Sequence, residues 1–532
     1  MILLAAIAIA SGMLPPAVPG AQKSPADNPE PRNGRCPLPI LAKSDTKKTP
    51  SMPGAQVARG MRPWNCRFPA FLVVEHGMAF ILLLLLAPLA AGADFPPEEF
   101  AARRAKVFDQ IGDRAVAVVQ GAALPEGFGV FRQANDFYYL TGLETPHSYL
   151  LLDGRTRRST LFLPQRDEAR DRSQGKTLSA EDADEVRQLS GADAVFGVEM
   201  LSVQLAAMQI RLPAPAVYVP SAPLQGVMGS RDELLRAYAD VAADPWDGRL
   251  SRSAQFISLL RTRFPSLELR DLSPILDELR LVKSPRELSL IREASRIAAL
   301  GILEAIKKTR EGAFEYELDA AARHVFLLHG AKYEGYPSIT AGGTNAYMGH
   351  YMANSSRLKD GDMVLMDFAP DYRYYTSDIT RNWPVNGKYT KDQRALSEFI
   401  YAYRNALLKR IRAGVTADEV TDGAREEMAP LVEKLAVSKE IYREAARGML
   451  AFRGHLSHPV GMTVHDVGNY RKAPLVAGQV FALDPMLWVH EERLYMRIED
   501  VVAVTADGVE NFTSFMPASP DEIEKFMKDH RN

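Results

Sequence analysis

The segment GDMVLMDFAPDYRYYTSDITRNWPV, residues 361–385, has two largely apolar stretches separated by a short tyrosine-rich stretch. This pattern is typical of two strands joined as a β-hairpin. Asp367 and Asp378 flank the turn candidate APDYRYY and lie at equal distances from the point between Tyr372 and Arg373. If the hairpin turns at that point, the two aspartates face each other and their side chains converge on one side of the sheet.

Two directly opposed aspartates need a cation or a proton, because like charges across a strand pair repel each other. Taken alone, such a pair is more often two solvated aspartates at the edges of a turn. Three more candidate ligands follow in this chain, namely His458, Asp484 and Glu499. Four carboxylates and an imidazole in one cleft strongly raise one another's pKa unless divalent cations neutralise them. The five residues therefore predict a two-metal hydrolytic site.

Histidines are concentrated in two short motifs. Four of the chain's ten histidines occur in GHYMAN and GHLSHPVGMTVHD, and they are His350, His455, His458 and His465. A lone histidine is usually a surface or core residue, but histidines grouped with carboxylates indicate a site. Within this group we expect His455 to be structural.

The segment RLYMRIED, residues 493–500, predicts a strand near the end of the chain. Because successive side chains of a strand point to opposite faces, Arg497 and Glu499 share one face and Asp500 lies on the other. The pattern thus selects Glu499, and not Asp500, as the candidate ligand.

The body of the chain predicts two domains, at residues 94–272 and 273–532. Helical patterns alternate with apolar strands in the first, which indicates an α/β domain. Near the start of the second, Ser284 is a candidate N-cap, Pro285 takes the first helical position and Glu287 completes a capping box. Helices and hairpin-linked strands then occur in separate groups, so we expect an antiparallel α+β domain.

The N-terminal part differs from the body of the chain. Residues 1–77 are predicted to be a non-native or disordered extension, because much of this part is rich in Pro, Lys and Ser without periodicity. Residues 78–93, MAFILLLLLAPLAAGA, combine an apolar run with a small-residue cleavage pattern and predict a signal peptide. A membrane anchor is the alternative, but the run is short and contains Pro88. We expect an exported protein, periplasmic or secreted, without a stable membrane span after processing.

Composition narrows the class of protein further. Lys and Arg total 64 against 66 for Asp and Glu, so no basic field favours nucleic acid and no nucleic-acid partner is expected. Both cysteines, Cys36 and Cys66, precede the predicted cleavage site. The exported chain would therefore need no disulfide.

Several motifs are similar to those of the aminopeptidase P and prolidase family. In the N-terminal half the match is FRQANDFYYLTGL. In the C-terminal half LRLVKSPRELSLIREAS, GHYMAN, MDFAPDYRYYTSDITRNWPVNGKYT, LSHPVGMTVHDVG and MRIEDVVAVT occur in the family's order and spacing. The resemblance implies an α+β pita-bread catalytic domain preceded by a smaller α/β creatinase-type N-terminal domain. It also implies a homo-oligomer, either a dimer or a tetramer.

The resemblance further implies a dinuclear metal site. Two divalent ions, most often manganese, with cobalt, iron or zinc as alternatives, would be held by Asp367, Asp378, His458, Asp484 and Glu499. Asp378 and Glu499 would bridge the two ions. A hydroxide between the ions would attack the carbonyl carbon of an Xaa-Pro bond at the N-terminus of a peptide substrate.

Four residues are given catalytic roles by the same resemblance. His350 and His465 would bind the substrate and steady the developing oxyanion. Asp484, besides binding metal, would contact the nucleophilic water. Arg497 would hold a bridging carboxylate in place.

Three departures from the family pattern keep alternatives open. Residues 367–369 are Asp-Phe-Ala rather than Asp-Ala-Gly, Gly454 replaces an expected histidine, and residues 484–488 are DPMLW rather than EPGLY. The carboxylate of Asp484 is therefore one methylene shorter than that of the usual glutamate. A weakened or inactive pita-bread binding protein is one alternative, and a related metal-dependent hydrolase or lyase of a small non-peptide substrate is another.

Overall fold

The computed structural model describes residues 94–211 and 216–530. The predicted extension at 1–77 and the predicted signal peptide at 78–93 lie outside these ranges. Within them, no helix is both long enough and apolar enough to cross a bilayer.

A mixed six-stranded sheet forms the centre of the N-terminal domain. Its strands are β1 (Ala115–Gln120), β2 (Tyr149–Asp153), β3 (Arg158–Leu163), β4 (Ala194–Gly197), β5 (Ala216–Val219) and β6 (Glu268–Asp271), in the order β4-β3-β2-β1-β5-β6. Strand β1 is buried along its whole length, and its alternate residues belong to two separate hydrophobic clusters. The apolar AVAVV stretch is therefore covered on both faces, as expected for a central strand of an α/β domain.

Helices surround this sheet. They are α1 (Pro97–Ile111), α2 (Asn135–Thr141), α3 (Glu168–Gln174), α4 (Ala183–Ser190), α5 (Met200–Arg211), α6 (Arg231–Ala243), α7 (Arg252–Arg263) and α8 (Ser273–Leu281). The sequence predicts helical stretches that begin at about residues 98, 232 and 253. They correspond to α1, α6 and α7.

A long helix opens the C-terminal domain, as the SPRE motif predicts. Helix α9 (Pro285–Lys308) begins after Ser284, whose side chain accepts from the backbone N–H of Glu287, while the Glu287 carboxylate accepts from the backbone N–H of Ser284. The remaining helices are α10 (Glu315–Leu328), α11 (Lys391–Leu408), α12 (Ala417–Val432), α13 (Glu440–Ala451) and α14 (Pro520–His530). Helices α10, α13 and α14 have no counterpart in the sequence prediction.

The strands of this domain pair antiparallel. They are β7 (Tyr333–Glu334), β8 (Ile339–Gly342), β9 (Met363–Asp367), β10 (Pro370–Asp371), β11 (Thr380–Pro384), β12 (Leu456–Pro459), β13 (Val480–Leu483), β14 (Met486–Val489), β15 (Leu494–Arg497), β16 (Asp500–Val504) and β17 (Val509–Asn511). The sheet orders are β10-β7, β11-β9-β8, β12-β13-β16-β17 and β14-β15. The stretch YEGYPSITAGGTNAYMGHY, residues 333–351, also predicts strands. Within it, Gly343–Met348 form a 3₁₀ helix instead.

The hairpin of β9 and β11 exists, but its expected register is wrong. Asp367 pairs with Thr380 and not with Asp378. The turn is centred between Arg373 and Tyr374, whose φ angles of 52° and 73° are those of a type I′ turn. Compared with the prediction, the centre of the turn is one residue later, and the partner of Asp367 is therefore two residues later. A shift of two residues preserves the face of a strand, so Asp378 is not carried to the opposite side.

The hairpin turn also contacts the N-terminal domain. The Tyr374 ring stacks on Tyr138 with centroids 3.5 Å apart, and its hydroxyl donates to Glu144 at 2.7 Å. Asp371 forms a buried ion pair with Nε of Arg132 at 2.8 Å. The position of the hairpin is therefore fixed by both domains.

Candidate metal centre

The ends of several strands bring the five predicted ligands into one region. Asp367 is the last residue of β9, His458 lies in β12, and Asp484 follows β13. Glu499 lies between β15 and β16, and its backbone N–H and C=O bond to Thr380 at the start of β11. The four carboxylates are only 1–4 % exposed, so all of them are removed from water.

Three of the five residues lie close enough together to hold one metal ion, and we call them the metal group. Asp378, His458 and Glu499 each offer one ligand atom, and these atoms lie within 4.8 Å of one another. Nε2 of His458 is 3.2 Å from Oδ2 of Asp378. One imidazole nitrogen with carboxylate oxygens is a donor set that suits manganese, iron, cobalt or zinc.

Asp367 and Asp484 lie around the guanidinium of Arg497. Nη2 of Arg497 contacts Oδ2 of Asp367 and is 3.6 Å from Oε2 of Glu499. Nε of Arg497 is 3.6 Å from Oδ1 of Asp484. The sequence prediction pairs Arg497 with a bridging carboxylate, whereas its nearest carboxylate in the structure is Asp367. One guanidinium thus serves three buried carboxylates.

This shortage of positive charge changes the acidity of the site. Burial, followed by repulsion from Asp378, raises the pKa of Asp367 to about 6 and that of Asp484 to about 7 against the attraction of Arg497. Burial and the charges of Asp378 and Asp484 raise the pKa of Glu499 well above its usual value. For Asp378, burial acts upward, but the hydrogen bond and charge of His458 leave its pKa below the usual value.

These carboxylates fit divalent cations. Oδ1 of Asp484 is buried and has no hydrogen-bond partner among the described residues, which is a costly state for a carboxylate oxygen. The raised pKa values of Asp367, Asp484 and Glu499 indicate that their ionised forms lack compensation, and a divalent ion would supply the compensation that Arg497 alone cannot. Asp367 and Asp484 do not belong to a three-donor group like that of Asp378, within residues 94–211 and 216–530.

Three polar residues that the sequence prediction missed hold the site in place. The hydroxyl of Tyr336 donates to Oδ1 of Asp367 at 2.6 Å, and that of Thr380 donates to Oε2 of Glu499 at 2.8 Å. The side-chain oxygen of Asn382 accepts from the backbone N–H of Arg497 at 2.6 Å. Thr380 and Asn382 are two residues apart on β11 and so share one face of the strand. The correct hairpin register would therefore have predicted that both lie near the site, whereas no sequence pattern marks Tyr336.

The two predicted substrate-binding histidines lie beside the metal group. The rings of His465 and His458 are 4.2 Å apart between centroids. Nδ1 of His465 is 3.2 Å from Oδ2 of Asp232 in α6, a residue of the N-terminal domain that the sequence prediction missed. His350 follows the 3₁₀ helix, is exposed, and lies near enough to Arg497, His465 and Asp378 to interact with their charges. Partial burial, then the charges of Arg497 and His465, lower its pKa.

Two further expectations concern neighbouring residues. His455 is fully buried, with Nε2 2.8 Å from the carbonyl oxygen of Met449, which fits the structural role expected for it. Asp500 faces away from the site, as predicted, and pairs with Arg381 and Arg404.

The departures from the family pattern have local explanations in the packing. Phe368 is fully buried and packs against the rings of Phe326 and Tyr336, so an aromatic cluster accommodates the larger side chain. A Cβ at Gly454 would lie 2.3 Å from the ring of Phe452, so a histidine there would require that ring to move. Trp488 stacks on Tyr495 with centroids 5.1 Å apart.

A cavity of about 850 Å³ opens beside the metal group. His458 and His465 line it from the C-terminal domain, and Arg231, Asp232 and Leu235 of α6 line it from the N-terminal domain. The site can therefore be reached from a cleft to which both domains contribute.

Comparison with known families assigns the two halves of the chain. Residues 289–506 match the model of metallopeptidase family M24, and residues 100–217 match the aminopeptidase P N-terminal domain. Together with the buried carboxylate site, these matches define a two-domain metallopeptidase with a pita-bread catalytic domain.

Similar proteins place the chain within this class. It is 31% identical over 453 residues to the Xaa-Pro aminopeptidase of Escherichia coli (strain K12), covering 81% of this chain and 97% of that protein. The Xaa-Pro aminopeptidase of Haemophilus influenzae is 31% identical over 461 residues, covering 82% and 99%. The chain belongs to the aminopeptidase P family and is a metallo-aminopeptidase by class. The predicted family and the α+β fold with its α/β N-terminal domain are thus confirmed.

Solved structures agree with this assignment. Proline aminopeptidase P II from Yersinia pestis superposes with a TM-score of 0.66 at 31% identity, covering 82% of this chain and 100% of that one. Aminopeptidase P from E. coli with the inhibitor Pro-Leu superposes with a TM-score of 0.65 at 28% identity, covering 82% and 99%. The domain boundary near residue 272 and the role of each site residue stay predictions.

Proposed function

We propose that this protein hydrolyses the peptide bond between an N-terminal residue and a following proline. The observation that carries the proposal is the group of Asp378, His458 and Glu499, with ligand atoms within 4.8 Å, in a chain of the aminopeptidase P family. Relatives from E. coli and H. influenzae that align with most of this chain are Xaa-Pro aminopeptidases.

Two divalent ions are proposed as the cofactor, and Asp367, Asp378, His458, Asp484 and Glu499 would hold them. When bound, two such ions supply a water of lowered pKa and polarise the scissile carbonyl. Manganese is the proposed native metal. A structure of the E. coli relative with zinc substituted supports a site that accepts more than one divalent ion in this family.

The side chains of the protein supply the remaining chemistry. His465, which lies next to His458 and lines the cavity, and His350 are proposed to bind the substrate and to donate hydrogen bonds to the developing oxyanion. Asp484, with its unpartnered Oδ1, is proposed to accept a proton from the attacking water. Arg497 keeps Asp367 oriented and offsets part of the negative charge.

The decisive experiment compares matched substrates. The protein, loaded in turn with manganese, cobalt, iron and zinc, is assayed against Xaa-Pro dipeptides, longer Xaa-Pro peptides and the same peptides with alanine in place of proline. We expect cleavage that requires metal and proline. Equal cleavage of the alanine peptides would overturn the proline specificity. Metal binding without cleavage of any peptide would favour the alternative of a catalytically weakened protein, which the shortened Asp484 supports.

The cellular setting is also a proposal. We propose that the enzyme is exported after cleavage near Asp94 and works as a dimer or tetramer. N-terminal sequencing of the native protein tests the first part, and a native chain that retains Cys36 or Cys66 would contradict it. Sedimentation of the purified enzyme tests the second part, and a monomer under assay conditions would contradict it.

A further inference from the structure

We propose that Asp232, a residue of the N-terminal domain, is a positioning residue that holds the His465 imidazole in its working orientation. The inference rests on the proposed function, because His465 is one of the two histidines expected to bind the substrate. It adds a contribution from the N-terminal domain to a site whose predicted residues all lie in the C-terminal domain.

The contact involves both the ring and the backbone of the histidine. Nδ1 of His465 lies 3.3 Å from Oδ1 and 3.2 Å from Oδ2 of Asp232. The backbone N–H of His465 donates to the hydroxyl of Ser230 at 3.1 Å. The residue before α6 and the second residue of α6 therefore hold the same histidine at two points.

The loop that carries His465 has a third attachment to the same region. The hydroxyl of Thr463 donates to the carbonyl oxygen of His465 at 3.1 Å, and Nε2 of Gln225 donates to that hydroxyl at 3.4 Å. Segment 225–232 thus contacts the loop at Thr463 as well as at His465. Three separate contacts to one short loop indicate a built arrangement rather than an isolated surface pair.

The first turn of α6 is itself anchored, so it can serve as a rigid support. Both terminal nitrogens of Arg231 contact the carboxylate of Asp277 in α8. Nη2 of Arg236 donates to Oδ2 of Asp232 at 2.9 Å, one helical turn away. A side chain that positions a functional group must be held by partners of its own, and Asp232 satisfies this condition.

A carboxylate at Nδ1 has a defined chemical effect on an imidazole. It accepts the Nδ1 proton and fixes the tautomer, which leaves Nε2 as the atom available to the site. It also prevents the ring from turning about its bond to Cβ. The ring centroids of His465 and His458 are 4.2 Å apart. Loss of the Asp232 restraint would therefore let the His465 ring move right beside His458, a residue of the metal group.

A double-mutant cycle tests whether Asp232 acts through His465. We expect Asp232→Ala to lower kcat by about 10-fold or more with little change in KM, the size of effect typical of residues that orient active-site groups. Asp232→Asn keeps an acceptor oxygen and should lose less. Added to His465→Ala, Asp232→Ala should have no further effect, because the residue that it orients is already absent. Asp240→Asn, an exposed aspartate on the same helix, is the matched control and should leave kcat and KM unchanged.

A second readout does not depend on activity. In the zinc-loaded protein with ¹⁵N-labelled histidine, the Nδ1–H signal of His465, assigned by its loss in His465→Ala, should shift or disappear in Asp232→Ala and persist in Asp240→Asn. An unchanged His465 signal in Asp232→Ala would overturn the inference. So would additive effects of the two substitutions on kcat. If the wild-type enzyme cleaves no Xaa-Pro peptide, the proposed function fails, while the histidine signal still decides whether Asp232 holds the ring.

Discussion

Glu499 and Asp500 are neighbours in the sequence, are both almost fully buried, and have opposite electrostatic environments. Asp500 faces two arginines, with Oδ1 2.7 Å from Nη2 of Arg381 and Oδ2 in contact with Arg404, and their charges hold its pKa well below the usual range against the effect of burial. Glu499 faces Asp378 and Asp484, and it shares the guanidinium of Arg497 with Asp367 and Asp484.

The difference between these two residues is one of charge balance, not of burial. The Asp500 side is complete without any ion, because two guanidinium groups compensate one carboxylate. The Glu499 side is incomplete, because Arg497 is the cation nearest to three carboxylates. A buried acidic cluster that lacks compensation indicates a functional site, whereas a compensated one indicates a structural role.

Substitution of a ligand on the incomplete side should have the largest effect. We expect Asp378→Asn to lose at least one ion per chain and to lower activity by more than about 100-fold, since even residues that only support metal ligands cost 10- to 100-fold. Metal content by elemental analysis and kcat/KM on an Xaa-Pro peptide are the measurements. Full metal content and unchanged kcat/KM in Asp378→Asn would contradict the ligand role.

The same change on the complete side should act on stability instead. Asp500→Asn leaves Arg381 and Arg404 buried without their anionic partner, so we expect a loss of about 3–5 kcal/mol in the free energy of unfolding. The metal content of the folded fraction should stay near that of the wild type. Urea denaturation with metal analysis tests this expectation, and a variant that lost metal but kept its stability would reverse the comparison.

Acidity should distinguish the metal-free enzyme from the metal-loaded one. Asp367 and Asp484 have pKa values raised to about 6 and about 7 when folded, so the native state keeps protons that the unfolded state has released. Their neutral forms stabilise the metal-free fold below about pH 4, the usual range for an unfolded aspartate, and this contribution is lost as pH rises through about 6 to 7. We therefore expect the free energy of unfolding of the chelated protein to fall by a few kcal/mol between about pH 4 and 7.

The metal-loaded protein provides the control for this titration. Bound cations favour the ionised carboxylates, so its stability should not fall over the same pH interval. Urea denaturation at several pH values, with and without chelator, makes the measurement. Equal pH profiles for the two forms would show that the carboxylates are compensated without metal.

The smallest expected effect concerns the shortened carboxylate. Oδ1 of Asp484 has no hydrogen-bond partner among the described residues and lies 3.6 Å from Nε of Arg497, so the short side chain leaves this oxygen without a close partner. We expect Asp484→Glu to raise the turnover of Xaa-Pro peptides several-fold and Asp484→Ala to lose metal and activity together. Unchanged metal content and rate in Asp484→Ala would exclude Asp484 as a ligand.

The comparison also shows how far the sequence could predict the molecule. The assignment of Glu499 and Asp500 to opposite faces needs only the alternation of a strand, and the start of α9 needs only the local SPRE signal, so both predictions were correct. The register of the β9–β11 hairpin was wrong because symmetry of the sequence located the turn, whereas the φ angles of Arg373 and Tyr374 set it one residue later.

Contacts between distant segments were beyond the sequence. Asp232 and His465 are 233 residues apart, and nothing near Asp232 marks it as a partner of a histidine. Tyr336 likewise reaches Asp367 only through the packing of the sheet. The types of the five candidate ligands could be predicted, but the groups that hold them could not.

The type I′ turn at Arg373 and Tyr374 contacts the N-terminal domain and also belongs to the hairpin that carries Asp367 and Asp378. The tip of a hairpin is usually where a chain tolerates inserted or deleted residues. Here the tip packs against the neighbouring domain, where Tyr374 stacks on Tyr138. Asp367, the last residue of β9, and Asp378, two residues before β11, lie on the two arms of the same hairpin near this tip. Because the contact between the domains and these two aspartates belong to one hairpin, we expect a rotation of one domain against the other to displace the segment that leads to Asp378 and to change the distances between the candidate ligands.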